Sequence, residues 1–250
     1  MREYRPLGNT MFPPVVKNLL IINGIMFLAS NVFGDSLGLD LNKWLGLYYF
    51  ESPNFRVWQF FTHLFMHGNF AHIFSNMLAL WMFGAVLENY FGSKRFLQYY
   101  IITGLGAALL HLGVQFVEVQ SLKQHLSAAT INEVLTNGAS IVNRGMNYTD
   151  PDAAAYTAAL FYPTVGASGA VFGLLLAFGM FFPNAMIYLY FFLPIKAKYF
   201  VILYGLFELF SGIANNPADN VAHFAHLGGM LFGYILIKVW KIRRPGDFLM

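Results

Sequence analysis

The chain has 250 residues, of which 57% are hydrophobic and only 11% charged, with a formal net charge of +3. A soluble globular domain carries about 25% charged residues, so this composition excludes a freely soluble enzyme and a disordered acidic scaffold. The absence of cysteine excludes disulfides, zinc–thiolate sites and thiol nucleophiles.

A helix that crosses a bilayer needs about 20 mostly apolar residues. Six segments approach or meet that length, at 15–33, 69–91, 96–117, 166–182, 199–214 and 221–240. The fourth and fifth are short, so one of them is expected to start part-way into the membrane. Between the first two, 37–61 is aromatic and apolar but broken by Pro53 and Asn54, and reads as a loop lying on or partly in the membrane. An insertion at 118–161 separates the third and fourth spans. Within it Leu122, Leu126, Ile131, Val134 and Leu135 fall at roughly helical spacing, and 153–160 is a second helical stretch. The expected fold is an all-α membrane protein, a six-helix transmembrane bundle forming one polytopic domain over 1–250. No internal repeat is visible, which argues against a small transporter built from inverted repeats.

Charge predicts the orientation. With the N-terminus cytoplasmic, Arg2, Arg5, Lys17, Lys94, Arg95, Lys196, Lys198, Lys238, Lys241, Arg243 and Arg244 fall inside, 11 of 15 basic residues. Asp35, Asp40, Glu51, Glu118, Glu133, Asp150, Asp152 and Asp219 fall outside, together with the insertion. Both termini are then cytoplasmic and the protein is a multi-pass integral membrane protein, in the plasma (inner) membrane if bacterial. The net charge is thus a topology signal, not a nucleic-acid footprint.

Polar side chains inside apolar spans are costly and call for a reason. Three clusters stand out. His63, His67, His72 and Asn76 surround the start of the second span, where His72 and Asn76, four apart, project from one helix face and offer two donors to an anion or oxyanion. A metal site is the weaker reading, since no His-Glu-x-x-His motif occurs. Ser168 opens the fourth span in Gly166-Ala167-Ser168-Gly169, with Gly169 and Gly173 forming a small-residue face. It is not a nucleophile elbow of the α/β-hydrolase kind, because Ala170 stands at the final glycine position. On the sixth span His226 shares a face with Gly229 and Gly233, while His223 is a rival base without that spacing. Two helices without side-chain bulk can bring Ser168 and His226 within hydrogen-bond reach, so that a histidine base activates a hydroxyl. A hydroxyl, a base and paired donors are the parts of acyl-transfer catalysis. Glu208, alone on the fifth span, is left without a role.

These residues resemble the rhomboid family of intramembrane serine proteases. The resemblance rests on His67, His72 and Asn76, on Gly166–Gly169, and on Ala225-His226-x-x-Gly229-x-x-x-Gly233, and extends over 15–240. It implies Ser168 as nucleophile and His226, not His223, as its base, in a dyad without an aspartate. His72, Asn76 and the Ser168 backbone N–H are implied as the oxyanion hole, and Glu88 as a structural carboxylate. It implies transmembrane protein substrates in the lipid bilayer, no cofactor, no metal and no nucleic acid; oligomeric state is not implied. Two departures are visible. Trp58-Gln59, with Arg56 two residues earlier, stands for a Trp-Arg pair in the first loop. Phe172 stands for a tyrosine that packs on the histidine, so the ring is kept and its hydroxyl lost. His63 and Gln59 are expected to help keep the site wet. The fifth span, with the loop at 217–219, is the expected mobile element for lateral substrate entry. A client-binding relative without catalysis would be expected to lack Ser168 or His226.

Overall fold

The computed structural model describes residues 10–189, 192–214 and 221–242, apart from the side chains of 35–37. The predicted mobile loop at 217–219, Arg2, Arg5, Arg243, Arg244, Asp219 and the Asp35 side chain therefore lie outside the described residues.

Helix α1 (Pro14–Leu37) starts on a proline in its first turn and stops at Gly38, whose φ of 63° is readily adopted only by glycine. Ile21, Ile25, Leu28 and Val32 are exposed along it, an apolar outer face that suits lipid. The following loop holds α2 (Leu41–Leu45), capped by Asp40 Oδ1 on Asn42 N at 3.0 Å, and α3 (Gln59–Thr62), which tightens into a 3₁₀ turn at His63–Phe65. Helix α4 (Phe70–Ala79) begins with Asn69 Oδ1 accepting from His72 N at 2.9 Å. It runs through a π-helical turn (Leu80–Gly84) into α5 (Ala85–Phe91). Glu88 ties the start of α1 to this helix. Only 1% exposed, its carboxylate accepts from Val15 N (3.0 Å), Val16 N (2.8 Å) and Ser93 Oγ (2.6 Å). It thereby satisfies donors that a helix N-terminus leaves unpaired.

Helix α6 (Ser93–His125) is longer than the third predicted span. The remainder of the insertion folds as α7 (Ala128–Asn143) and α8 (Pro151–Phe161), each started by a side-chain cap, from Ser127 and Asp150. Val119, Val134, Ala153, Tyr156, Leu160 and Phe161 form one apolar cluster with Leu47 and Tyr49 of the first loop. Lys43 Nζ donates to Asn143 Oδ1 at 2.6 Å and Lys123 pairs with Glu51. The insertion is therefore a clasp on the first loop.

Helix α9 (Ser168–Phe181) is buried on nearly every face. An antiparallel hairpin that the hydropathy pattern did not announce, β1 (Met186–Leu189) and β2 (Leu193–Lys196), leads into α10 (Ala197–Ala214); α11 (His223–Val239) closes the bundle. Among the described residues four helical stretches, Pro14–Gly34, Phe70–Phe91, Ser93–His125 and Ala197–Ala214, are long and apolar enough to cross a membrane; α9 and α11 are apolar but shorter.

The helices around the centre touch through missing side chains. A Cβ on Gly173 would lie 2.8 Å from Thr103 Cβ of α6, and one on Gly233 would lie 3.4 Å from Gly173 Cα. A Cβ on Gly229 would lie 2.7 Å from the carbonyl carbon of Gly169. The predicted small-residue faces of α9 and α11 are thus in backbone contact, as close approach requires.

Candidate active site

That contact sets the separation of Ser168 and His226. Ser168 is the first residue of α9 and half-buried; His226 lies one turn into α11 and is 8% exposed. Ser168 Oγ is 2.9 Å from His226 Nε2. The Phe172 ring lies one turn further along α9 and stacks on the His226 imidazole at 4.1 Å and 7° between planes. It holds the imidazole plane, the packing expected of an aromatic residue there.

The loop before Ser168 is positioned by backbone. Leu47 and Thr164 exchange hydrogen bonds of 2.9 and 2.8 Å, and Gly166 N donates to His63 O at 2.9 Å. Gly166 has φ 130°, which an L side chain rarely adopts. A Cβ there would also fall 2.7 Å from His72 Nε2 and 3.6 Å from Ser168 Oγ. The bare Gly166 thus keeps open the space that borders both His72 and the hydroxyl. Asn76, one turn after His72, is buried, and its Nδ2 has no hydrogen-bond partner among the described residues. A buried amide donor without a partner is costly, and an oxyanion would satisfy it. The N-terminal dipole of α9 favours negative charge beside Ser168.

His63 and Gln59 do not behave as expected. Gln59 is 1% exposed and its amide is consumed by the first loop. Its Oε1 accepts from Arg56 N at 3.0 Å, and its Nε2 donates to Asn54 O at 3.0 Å. It anchors the loop, because an amide both donates and accepts. His63 donates from Nδ1 to Gln59 O at 2.8 Å and is buried, which pushes its imidazole down to about 4. His67 lies edge-on to His72 at 5.0 Å; burial, then the neighbouring His72, lowers its imidazole to about 4. Both are neutral packing elements near neutral pH.

Sequence reasoning missed one group. Glu208 of α10 is 2% exposed, and its Oε2 lies 2.9 Å from His226 Nδ1 and 2.6 Å from His223 Nδ1. The signal was present, since a carboxylate in an apolar span needs a partner, but its distance in sequence hid which one. His223 faces this carboxylate, and His226 faces both it and the serine. Beside His223 lies a cavity of about 110 Å³ whose lining includes His111, Gln115, Glu118 and Ser211.

The fold and site define an α-helical membrane protein that presents a serine to a histidine across a glycine-lined helix contact. A rhomboid domain is matched over residues 54–242. The chain belongs to the rhomboid family. It is 28% identical over 236 residues to RHOMBOID-like protein 12, mitochondrial, of Arabidopsis thaliana, covering 94% of this chain and 60% of that protein. It is 30% identical over 188 residues to RHOMBOID-like protein 1 of the same plant, covering 75% and 35%. Rhomboid protease GlpG of Klebsiella pneumoniae is 32% identical over 92 residues, 37% and 32% of the two chains. The chain thus spans from about a third to three fifths of the length of these relatives.

Proposed function

We propose that this protein is an intramembrane serine endopeptidase that hydrolyses peptide bonds in or near the transmembrane segments of single-span membrane proteins. The observation that carries the reading is the 2.9 Å contact between Ser168 Oγ and His226 Nε2. Ser168 attacks the substrate carbonyl while His226 takes its proton and later delivers it to the leaving amine. His72, Asn76 and the Ser168 backbone N–H hold the oxyanion; removing one such donor costs about 2.7–4 kcal/mol in the barrier. Water then resolves the acyl-enzyme, and the polar cavity beside His223 is a suitable store for it. The chemistry draws on no cofactor.

In this reading α1, the helix Phe70–Phe91, α6, α9, α10 and α11 are six spans of one polytopic domain with both termini cytoplasmic. The site and the 118–161 insertion face the opposite side, and a bacterial cell would hold the protein in its inner membrane. Substrate enters laterally past α10, whose Ile202, Leu203, Phe207 and Phe210 are exposed.

The test reconstitutes the purified protein in liposomes with a single-span substrate and compares it with Ser168→Ala and His226→Ala. Cleavage by the wild type alone is expected. Equal cleavage by all three refutes the reading, and substrate binding without cleavage would make the protein a client-binding relative. Loss of activity in His223→Ala with His226→Ala intact would move the base to His223.

A further inference from the structure

The rhomboid resemblance implies a dyad, a serine and a histidine with no carboxylate. The structure has a third group in line. On one side of the His226 ring Nε2 meets Ser168 Oγ at 2.9 Å; on the other Nδ1 meets Glu208 Oε2 at 2.9 Å. We propose that Glu208 is a positioning residue that completes a Ser168–His226–Glu208 relay, with His223 holding its carboxylate in place. The proposal rests on the hydrolase reading above and adds to it.

The hydrogen-bond logic runs through the tautomer. A carboxylate oxygen only accepts, so Nδ1 of His226 carries the proton and Nε2 is free to accept from the serine hydroxyl. Among the described residues Glu208 is the group that selects that tautomer over its opposite, which cannot act as a base toward Ser168. His223 donates from its own Nδ1 to the same Oε2 at 2.6 Å, and its ring stands nearly perpendicular to that of His226, at 87°. Two donors from α11 therefore fix one oxygen of α10, and the Phe172 stack fixes the ring between the ends of the relay. Of the buried residues on α10, Ala197 and Val201 are small or apolar and Glu208 is the single acid. An apolar span places its one carboxylate against the base.

During acylation the Ser168 Oγ–H proton moves to His226 Nε2 as the Oγ–carbon bond forms and the carbonyl electron pair moves onto oxygen. The positive imidazolium keeps both ring protons, with Nδ1–H on Glu208, until Nε2–H passes to the leaving nitrogen. Glu208 is never protonated; it orients the ring and balances its transient charge. The same three residues have the composition of a metal site, with ligand atoms within 4.8 Å of one another. Their nitrogens sit at hydrogen-bond length from Oε2, the arrangement of histidine N–H groups donating to a carboxylate.

The test compares wild type, Glu208→Gln, Glu208→Asp, His223→Ala and Ser168→Ala as full chains in liposomes with the single-span substrate. Glu208→Gln is expected to lower kcat by about 10²–10⁴-fold, because an amide can turn its NH₂ toward Nδ1 and select the wrong tautomer. KM should stay within about twofold, since the lost interaction belongs to the transition state. Labelling of Ser168 by a fluorophosphonate should slow in parallel. Glu208→Asp, which keeps the charge, should recover part of kcat, and His223→Ala should cost less than Glu208→Gln. Nitrogen-15 shifts of the wild-type imidazole should report His226 protonated at Nδ1, a readout that needs no variant to fold. Wild-type kcat in Glu208→Gln alongside an inactive Ser168→Ala overturns the relay and leaves the hydrolase reading standing. An Nε2-protonated His226 in the resting wild type overturns the relay too. So does zinc binding to wild type that is lost in a fully active Glu208→Gln, which makes the cluster a metal site. Activity in Ser168→Ala removes the hydrolase reading itself.

Discussion

Replacing Gly229 with alanine adds one methyl group at the point where α9 and α11 touch. The new Cβ would lie 2.7 Å from the Gly169 carbonyl carbon and closer still to its oxygen, where ordinary contact begins near 3.4 Å. The obstructing atoms are backbone at the start of α9, so no side chain can swing away, and clearing the carbonyl oxygen requires α11 to retreat by more than about 1 Å. Overpacking of this kind costs about 1–3 kcal/mol in stability. The functional cost is larger, because Ser168 and His226 stand on the two helices being forced apart, next to the contact. Misplacement of reacting groups by about 1 Å costs on the order of 10²-fold, so kcat in the liposome assay should fall about tenfold to a hundredfold. Gly113→Ala on α6 is the control: no atom lies within 4 Å of its Cβ, and alanine there is expected to be neutral or mildly stabilising. A Gly229→Ala protein that melts and cleaves like wild type would refute the claim that glycine contact sets the Ser168–His226 distance.

Three further outcomes are expected. Glu88→Ala strips the partners from two backbone donors of α1 and from Ser93, and should lower stability in detergent by about 1.5–3 kcal/mol, read as a lower Tm. Phe172→Leu removes a ring stacked at 4.1 Å on His226; at about 0.5–1.5 kcal/mol for such a pair, kcat/KM should drop up to about tenfold. His67 is held near 4 in the folded protein against 6.5 when unfolded, so the unfolded chain binds the proton first. Its stabilising contribution is full above about pH 6.5 and is lost as pH falls toward 4, by up to about 3 kcal/mol. His67→Leu should flatten the fall of Tm across that window, and an unchanged slope would show that the buried imidazole is not its source.

Much of this was legible in the chain because the membrane makes strict demands. Lipid requires long apolar helices, so α1, Phe70–Phe91 and α10 follow closely from hydropathy. It also penalises polar groups, so Ser168, His226, His72 and Asn76 stand out against their surroundings, and glycine spacing on two helices announces their contact. The Gly166–Gly169 and His226–Gly233 patterns each act within one or two helical turns, where sequence spacing is spatial spacing. What tertiary structure alone decided involves partners far apart in the chain. Glu208 reaches His226 across 18 residues and a change of helix, so its carboxylate could be noticed in the sequence but not assigned. Gln59 reads as a water-facing group because its type is polar; only the fold shows its amide spent on loop backbone. The insertion read as two amphipathic stretches of no stated purpose, and its docking on Leu47 and Tyr49 depends on shape and register. Periodicity encodes which face of a helix is buried, and it carries no record of what that face is buried against.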